Sequence, residues 1–445
     1  MRGVTNVGEQ VPVRLQGRDH RAFSDKEGTA VRRILIVGAG QSGLQLGLGL
    51  VGRGYDVTLM SARTPEEIRN GRVMSTQMMF ASSLAHEREL GIDFWADQAP
   101  TVHGLGVSVA GPDGGRAIDW LGRLDEPAQS VDQRVKMAGW LEEFERAGGH
   151  LVIHPVSLSD LDSLTVMFDL TVVAAGKGEL VDLFDRDAAR SCHTSTQRAL
   201  SVVYVHGLGP RPEHPDVDAV RCNLIPGIGE LFVMPSLTLS GRCDILFFEG
   251  IPGGPLDCFA EVRNDPGAHL ARTLELMRRY VPWEYERARG VELTDHKGTL
   301  VGGYPPVVRQ PVGRLPSGRF ALGMADVVVA NDPITGQGSN NASKCAAVYL
   351  DAITAAGDGP LDEAFMRNAF ESYWAEAETV TAWTNAMLAP PPPHVLEVLG
   401  AAGEHPEVAD RFANGFDRTA DFRNWLLDPD RTRSYLAEVT SSHAA

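Results

Sequence analysis

The stretch from Arg32 to Arg63, RRILIVGAGQSGLQLGLGLVGRGYDVTLMSAR, constrains this chain more than any other. Ile34 to Val37 is an unbroken aliphatic run, which reads as a strand buried on both faces in a parallel sheet. Gly38, Gly40 and Gly43 follow in G-x-G-x-x-G spacing, then an apolar helical segment and a second strand from Asp56 to Met60. Together these make a βαβ unit with a dinucleotide fingerprint at its first turn. Gly38 allows the tight turn, Gly40 lets the backbone approach a pyrophosphate, and Gly43 lets the helix sit close to the strand. The helix N-terminus then faces the anion. Gly47, Gly49 and Gly52 repeat the spacing, but inside the helix and with no strand before them, so they read as chance plus close packing. A purely structural glycine turn is the plain alternative for the first match; the strand before it and the helix after it favour the nucleotide.

At 445 residues the chain is long enough for two domains, or for one large domain with an inserted layer. Its net charge of -17 argues against nucleic acid or an anionic membrane as the main partner. No apolar run is long enough to span a bilayer. Cys192, Cys222, Cys243, Cys258 and Cys345 are odd in number and widely spaced, which suits a reducing, cytoplasmic setting better than a disulfide framework. No zinc-type Cys/His spacing and no G-x-S-x-G elbow occurs, so a metal has no support.

Residues 1–30 are polar and aperiodic and lack the apolar core of a signal peptide; they read as a mobile N-terminal extension. After the βαβ unit, TPEEIRNGRVMSTQMMF leads from a polar loop carrying Arg72 into a partly buried segment, and 83–96 looks helical. Short strands with glycine-rich turns are expected from Val102 to Ile118. A helix should follow over VDQRVKMAGWLEEFERAGG, ended by Gly148 and Gly149. HLVIHPVS and FDLTVVAAGKGE continue the doubly wound pattern, the second strand stopping at Gly176. Residues 198–250 hold strand-like runs with no helix between them, which suggests an antiparallel sheet covering a pocket. HLARTLELMRRYVPWEYERA reads as helical until Pro282. A strand from Phe320 to Met324, a Gly/Pro/Asn-rich turn and a helix from near Ser339 return to the nucleotide style. Helices and a proline break at Pro390 to Pro393 complete the chain. The residues alone thus describe a flavin- or nicotinamide-binding α/β protein with an inserted β layer.

Several segments go further. VGAGQSGLQLGL, GRVMSTQ, SVDQR, VVAAGKG, PGIGELFVMPSL, GGYPPVVR, GMADVVVANDPITGQGSNNAS and WTNAMLAPPPP stand here in order. In these the chain resembles the FAD-dependent oxygenase subunit of the styrene and indole monooxygenases, a family of two-component flavoprotein monooxygenases. The resemblance runs from Arg32 to about Pro393. It implies a Rossmann-like FAD-binding domain of the aromatic-hydroxylase type, with an inserted antiparallel β substrate layer and a C-terminal helical region. The expected division is 31–75, 120–182 and 296–356 for FAD, 76–119 and 183–295 for substrate, and 357–445 for the helical region.

The resemblance also assigns roles. Gly38, Gly40 and Gly43 match the ADP pyrophosphate turn, and Arg63 an arginine near the adenosine end, where Ser61 also stands. Arg72 matches a loop arginine close to the flavin, and Arg134 one close to the pyrophosphate. Gly176 ends the middle strand at the cofactor edge, and Asp326 matches an acid that holds flavin hydroxyls. Pro333, Gly336, Gln337 and Gly338 match the loop along the isoalloxazine. Pro306 and Arg309 match the segment entering the pocket beside the ring. Ser75, Gln337 and Pro306 are the candidates near the reacting centre. Ser75, Gln77, Met79, Pro306 and Arg309 are the candidates for the substrate pocket; Met78, Met79 and Phe80 read equally well as core.

Two departures matter. A dinucleotide site usually carries an acid about 20 residues after the fingerprint, but here the second strand ends Leu59, Met60, Ser61. Weak retention of FAD is therefore expected, with reduced FAD arriving by diffusion. Ser75 stands where the family often has asparagine, so the pocket is not a copy. VVAAGKGE also lacks the Asp-Gly pair of single-component hydroxylases, and no second nucleotide fingerprint is placed for NAD(P)H. NAD(P)H is therefore expected to act only through a separate NAD(P)H:flavin reductase. The implied reaction takes reduced FAD and O2 and delivers one oxygen atom, through a flavin C4a-hydroperoxide, to an alkene, an indole-like ring or a sulfide of small apolar or aromatic character. A homodimer is compatible with this. The alternatives are a single-component NAD(P)H-dependent aromatic hydroxylase, an N- or S-oxygenase of a biosynthetic pathway, and a flavin-binding protein without oxygenase activity.

Overall fold

The computed structural model describes residues 31–176 and 178–444. The expected mobile extension, 1–30, lies outside the described residues, as does Lys177 of the VVAAGKGE segment. The strands, in chain order, are β1 (Arg33–Val37), β2 (Asp56–Ser61), β3 (Val102–Ala110), β4 (Arg116–Ala128), β5 (His150–Ile153) and β6 (Leu170–Val173). There follow β7 (Ala199–His206), β8 (Ala219–Ile225), β9 (Gly229–Thr238), β10 (Gly241–Gly250), β11 (Glu292–Leu293) and β12 (Thr299–Gly302). The last are β13 (Val307–Val308), β14 (Val312–Arg314), β15 (Phe320–Gly323) and β16 (Val329–Ala330).

The first sheet has the order β14-β15-β6-β1-β2-β5. β1 runs parallel to β2 and β6, β6 parallel to β15, and β2 parallel to β5; only β14 pairs antiparallel. Ile34, Leu35 and Ile36 are fully buried, as a strand covered on both faces requires. One cover is the helix Gln41–Val51, with Gly338–Ala356 beside it. The helix glycines do the packing expected of them. A Cβ on Gly49 would come 2.6 Å from Leu350, and one on Gly47 3.1 Å from Phe144.

The second sheet has the order β11-β7-β10-β9-β8-β3-β4, with β12 also on β7. It is antiparallel apart from the β3–β8 pair. Because side chains alternate along a strand, it has two cores. Val203, Val205, Leu231, Val233, Leu246 and Phe248 pack against Leu276, Met277, Val281 and Ala288 of the helices Pro266–Tyr280 and Pro282–Ala288. Val202, Tyr204, Phe232, Met234, Ile245 and Phe247 face inward, toward Met78, Phe80, Ile334 and the C-terminal helices.

The structure differs from the sequence reading in places. Val102 to Ala128 forms two long strands rather than several short ones. β4 crosses the expected 119/120 boundary, and β11 and β12 join the second sheet through β7, so strand pairing ties 120–128 and 299–302 to that layer. The helix Pro266–Tyr280 ends just before Pro282, as expected, but Pro282 also opens a second helix, where its missing N–H costs nothing. Pro393 likewise opens Pro393–Glu404. None of the described helices is long and apolar enough to cross a membrane.

Candidate active site

The carboxyl ends of β1, β6 and β15 lie side by side, because these strands are parallel and adjacent. In open α/β sheets that edge is where ligands bind. At the end of β1, Gly38 has φ +121°, and a Cβ there would come 2.7 Å from the Ala174 carbonyl carbon and the Ala175 nitrogen at the end of β6. A Cβ on Gly43 would meet the Gly38 carbonyl oxygen at 2.0 Å. Gly40 is different, with no atom within 4 Å of its Cβ position. It caps the helix Gln41–Val51 with no side-chain cap and no acid in the first turn. The helix Gly338–Ala356 begins the same way, behind Gln337, and Gly336 and Gly338 also face open space. A Gln45 Nε2 hydrogen bond to the Ser343 carbonyl, 3.0 Å, ties the two helices together. Two uncapped N-termini therefore share one edge, each with free backbone donors and positive dipole character.

Gly176 and Asp326 meet at this edge; a Cβ on Gly176 would come 3.0 Å from that of Asp326. Asp326 is exposed, on the short turn after β15 that begins at Ala325 with φ +51°. Pro333 opens the next turn, and Gly336 closes it at φ +64°. Gln337 lies in the loop but points away from the open side, its Nε2 donating to the Phe416 carbonyl at 3.0 Å.

The arginines separate. Arg63 is exposed beside Gly71 and Met74 at the end of β2. The Ser61 hydroxyl donates to the Arg63 carbonyl at 2.6 Å, so it is engaged in its own turn. Arg72 is exposed and donates to the Arg263 carbonyl at 3.0 Å, which carries it toward the outer helices of the second sheet. Arg134 is buried. Its Nε donates to Asp132 at 2.9 Å, its Nη1 to Asp295 at 3.0 Å, and its Nη2 to Thr238 at 3.2 Å. Burial works against the charge, and Asp132 and Asp295 outweigh it, so the guanidinium is held above its ordinary range. With every nitrogen engaged, Arg134 knits the second sheet to the helix Gln133–Arg146 and has no group left to reach the glycine edge.

Ser75 meets the inner face of the second sheet through Tyr204, whereas Pro306 stands just before β13, which pairs with β16 outside that sheet. The Ser75 hydroxyl accepts from Gln133 Nε2 at 2.8 Å, and its carbonyl accepts from Tyr204 at 3.0 Å. Gln77 is buried and donates to the Val131 carbonyl. Met79 is buried too, 3.4 Å from Lys136 Nζ, and reads as core. Pro306 is buried, and Arg309 donates to the Val327 carbonyl at 3.0 Å. Burial lowers the Arg309 guanidinium, and Asp182 opposes it.

The sequence reading missed the residues that hold these in place. Asn340, in the first turn of Gly338–Ala356, accepts from the Phe80 N–H at 2.9 Å and donates to the Met78 carbonyl at 2.8 Å. Tyr304 donates to the Asn331 carbonyl at 2.6 Å. It keeps 38 % of its surface accessible. Burial nevertheless raises its hydroxyl well above the ordinary range, with Asp326 next in weight. Both residues stand in segments that carried the resemblance, but their partners are distant in sequence.

Residues 176–287 match the family model described as "Styrene monooxygenase A putative substrate binding domain". The chain is 31% identical over 424 residues to styrene monooxygenase StyA of Pseudomonas fluorescens, covering 93% of this chain and all of that protein. A Pseudomonas sp. StyA is 30% identical over the same length and coverage. Among solved structures, the flavin-dependent brominase Bmp2 superposes with a TM-score of 0.64 at 14% identity, covering 93% of this chain and 100% of that one. P. aeruginosa PqsL in complex with 2-aminobenzoylacetate gives 0.56 at 16%, covering 86% and 99%. The fold is thus that of the flavin-dependent hydroxylases and halogenases. With that fold and a full-length likeness to StyA, the chain belongs to the styrene monooxygenase family of two-component, FAD-dependent monooxygenases.

Proposed function

We propose that this chain takes reduced FAD from a separate NAD(P)H:flavin reductase and transfers one oxygen atom from O2 to an alkene, an indole-like ring or a sulfide. The observation that carries the reading is the pair of uncapped helix N-termini at the carboxyl edge of β1, β6 and β15, cleared of side chains by Gly40, Gly336 and Gly338. That edge fits a dinucleotide pyrophosphate, which needs backbone N–H donors and a surface without side chains. In this reading Gly38, Gly40 and Gly43 form the pyrophosphate turn, Asp326 accepts from flavin hydroxyls beside Gly176, and Pro333 to Gly338 back the ring. Arg63 lies at the adenosine end. Arg72 is close enough to the second sheet to steady the loop carrying Ser75, and Arg134 positions rather than binds. Ser61 leaves the ribose weakly held, which supports an exchangeable cofactor.

When bound, reduced FAD supplies the activation of O2. The chain supplies position and exclusion of water. Gln133 and Tyr204 fix Ser75, and Phe232, Met234 and Phe247 on the inner face of the second sheet keep the substrate side apolar. The test is to give purified protein reduced FAD, 18O2 and a panel of vinyl-arenes, indoles and thioethers. Products carrying one labelled oxygen are expected only when flavin is reduced. Oxidation of NADPH by the chain and FAD alone would replace this reading with the single-component hydroxylase.

A further inference from the structure

Among the described residues, Ala325 is the one non-glycine with a positive φ, at +51°. A Cβ makes that left-handed region unfavourable, and a residue stays there only where its surroundings over-determine it. Here the surroundings come from one face of the helix Gly338–Ala356. The Ala325 N–H donates to the fully buried Cys345 Sγ at 3.4 Å. One turn further along, the fully buried Tyr349 hydroxyl donates to the Gly323 carbonyl at 2.9 Å. Residues four apart share a helix face, so the two side chains grip the backbone on either side of Met324. The Met324 N–H donates to the Val173 carbonyl of β6 at 3.0 Å, and the Val328 N–H closes the turn on the Ala325 carbonyl at 2.9 Å. The Tyr349 ring is braced edge-on by Tyr373, with centroids 6.5 Å apart.

The residue this turn delivers is Asp326, whose Cβ lies 3.0 Å from the Cβ position of Gly176, at the carboxyl edge of the parallel sheet. A glycine at 325 would adopt the same turn without strain, and a thiol is only a weak acceptor. Stability alone therefore does not account for an alanine held there by two buried side chains. What they achieve is a fixed place. The left-handed well is narrow for a residue with a Cβ, so the backbone entering Asp326 has little freedom. The same helix presents its open N-terminus, behind Gln337, to that edge. Cys345 and Tyr349 thus set Asp326 and the helix N-terminus in one frame.

We propose that Cys345 and Tyr349 are positioning residues, which hold the strained Ala325 turn so that the Asp326 carboxylate is fixed where it accepts from the flavin hydroxyls. This rests on the FAD reading above and names what places that site's acceptor. The two side chains act only through Asp326. The ordering of the acceptor is completed when the chain folds, so FAD does not have to impose it on binding.

The test uses the full chain and two readouts, FAD affinity by fluorescence quenching and the melting temperature without FAD. Ala325→Gly relieves the strain and frees the turn. Its melting temperature is expected to hold or rise while its Kd for FAD rises about threefold or more, a divergence that a merely structural role would not produce. Tyr349→Phe and Cys345→Ala are each expected to weaken FAD by about threefold or more, and Cys345→Ser, which keeps an acceptor, to bring the affinity back. In an Asp326→Ala background, itself weaker for FAD, none of these changes should weaken it further. Unchanged affinity in Ala325→Gly, or losses of the same size with and without Asp326, overturns the positioning role while the FAD reading stands. No binding of FAD by the unaltered chain removes the FAD reading and the role with it. Should the Tyr349 and Cys345 variants not fold, Ala325→Gly with and without Asp326 decides by itself.

Discussion

The two sheets place their chemistry in opposite positions. The parallel sheet is aliphatic throughout its centre, and what it offers a ligand lies at its carboxyl edge, made of backbone and missing side chains. The second sheet offers side chains on its faces: Arg198, Glu230 and Glu249 inside, and Ser201 paired with His269 at 2.7 Å outside. One region works by leaving space, the other by burying charge. A change in the first should therefore alter binding or fail sterically. A change in the second should shift stability and its dependence on pH.

The sharpest break of that contrast is Gly43→Ala. The new Cβ has only 2.0 Å to the Gly38 carbonyl oxygen, and backbone cannot yield as a side chain can. The loss should exceed the ~1–3 kcal/mol of ordinary overpacking and should appear as little folded protein by circular dichroism. Next is Arg134→Met, which strands Asp132 in the interior; about 3–5 kcal/mol of stability should be lost in a denaturant titration. A loss below ~1 kcal/mol would show that Arg134 is not the knot between the second sheet and the helix Gln133–Arg146.

The pH prediction concerns His269. Burial, with Arg72 second, lowers its folded value to about 4, against 6.5 when unfolded. Below pH 6.5 the unfolded chain binds more protons, so stability falls as pH drops toward 4. The full effect is on the order of 3 kcal/mol. His269→Gln should flatten the difference between melting curves at pH 7 and pH 4.5; an unchanged slope would reject His269 as its source. The smallest effect is expected from Gly40→Ala. With open space at its Cβ position and an extended backbone, folding stability should stay within ~0.5 kcal/mol. FAD affinity, measured by fluorescence quenching, should fall about tenfold, or ~1.4 kcal/mol. Unchanged affinity would place the pyrophosphate elsewhere.

Much of the parallel layer was legible because its signals are local. A strand, a glycine turn and a helix are neighbours in sequence, so Gly38, Gly40, Gly43, Gly336 and Gly338 could be chosen by spacing and by resemblance. Arg134 shows the limit. Its segment resembles the family's, yet its partners Asp132, Asp295 and Thr238 come from three parts of the chain, and only their meeting shows that the guanidinium is fully occupied. Asn340, Tyr304 and Glu249 escaped notice for the same reason. An asparagine in a first turn, a tyrosine in a GGYPP loop and a glutamate in an apolar strand mean little until their neighbours are known.

By itself, then, the sequence determined the βαβ unit, the glycine edge, the presence of an antiparallel layer and the family. These depend on periodicity and on residues close together along the chain. The tertiary structure alone decided which charges share a buried space. Strand register set Glu230 against Glu249, and chain return brought Asp332 and Arg198 beside them. Burial then raised Glu249 and Asp332 above the ordinary carboxylate range, because the cost of a charge depends on its surroundings and not on its position in the chain.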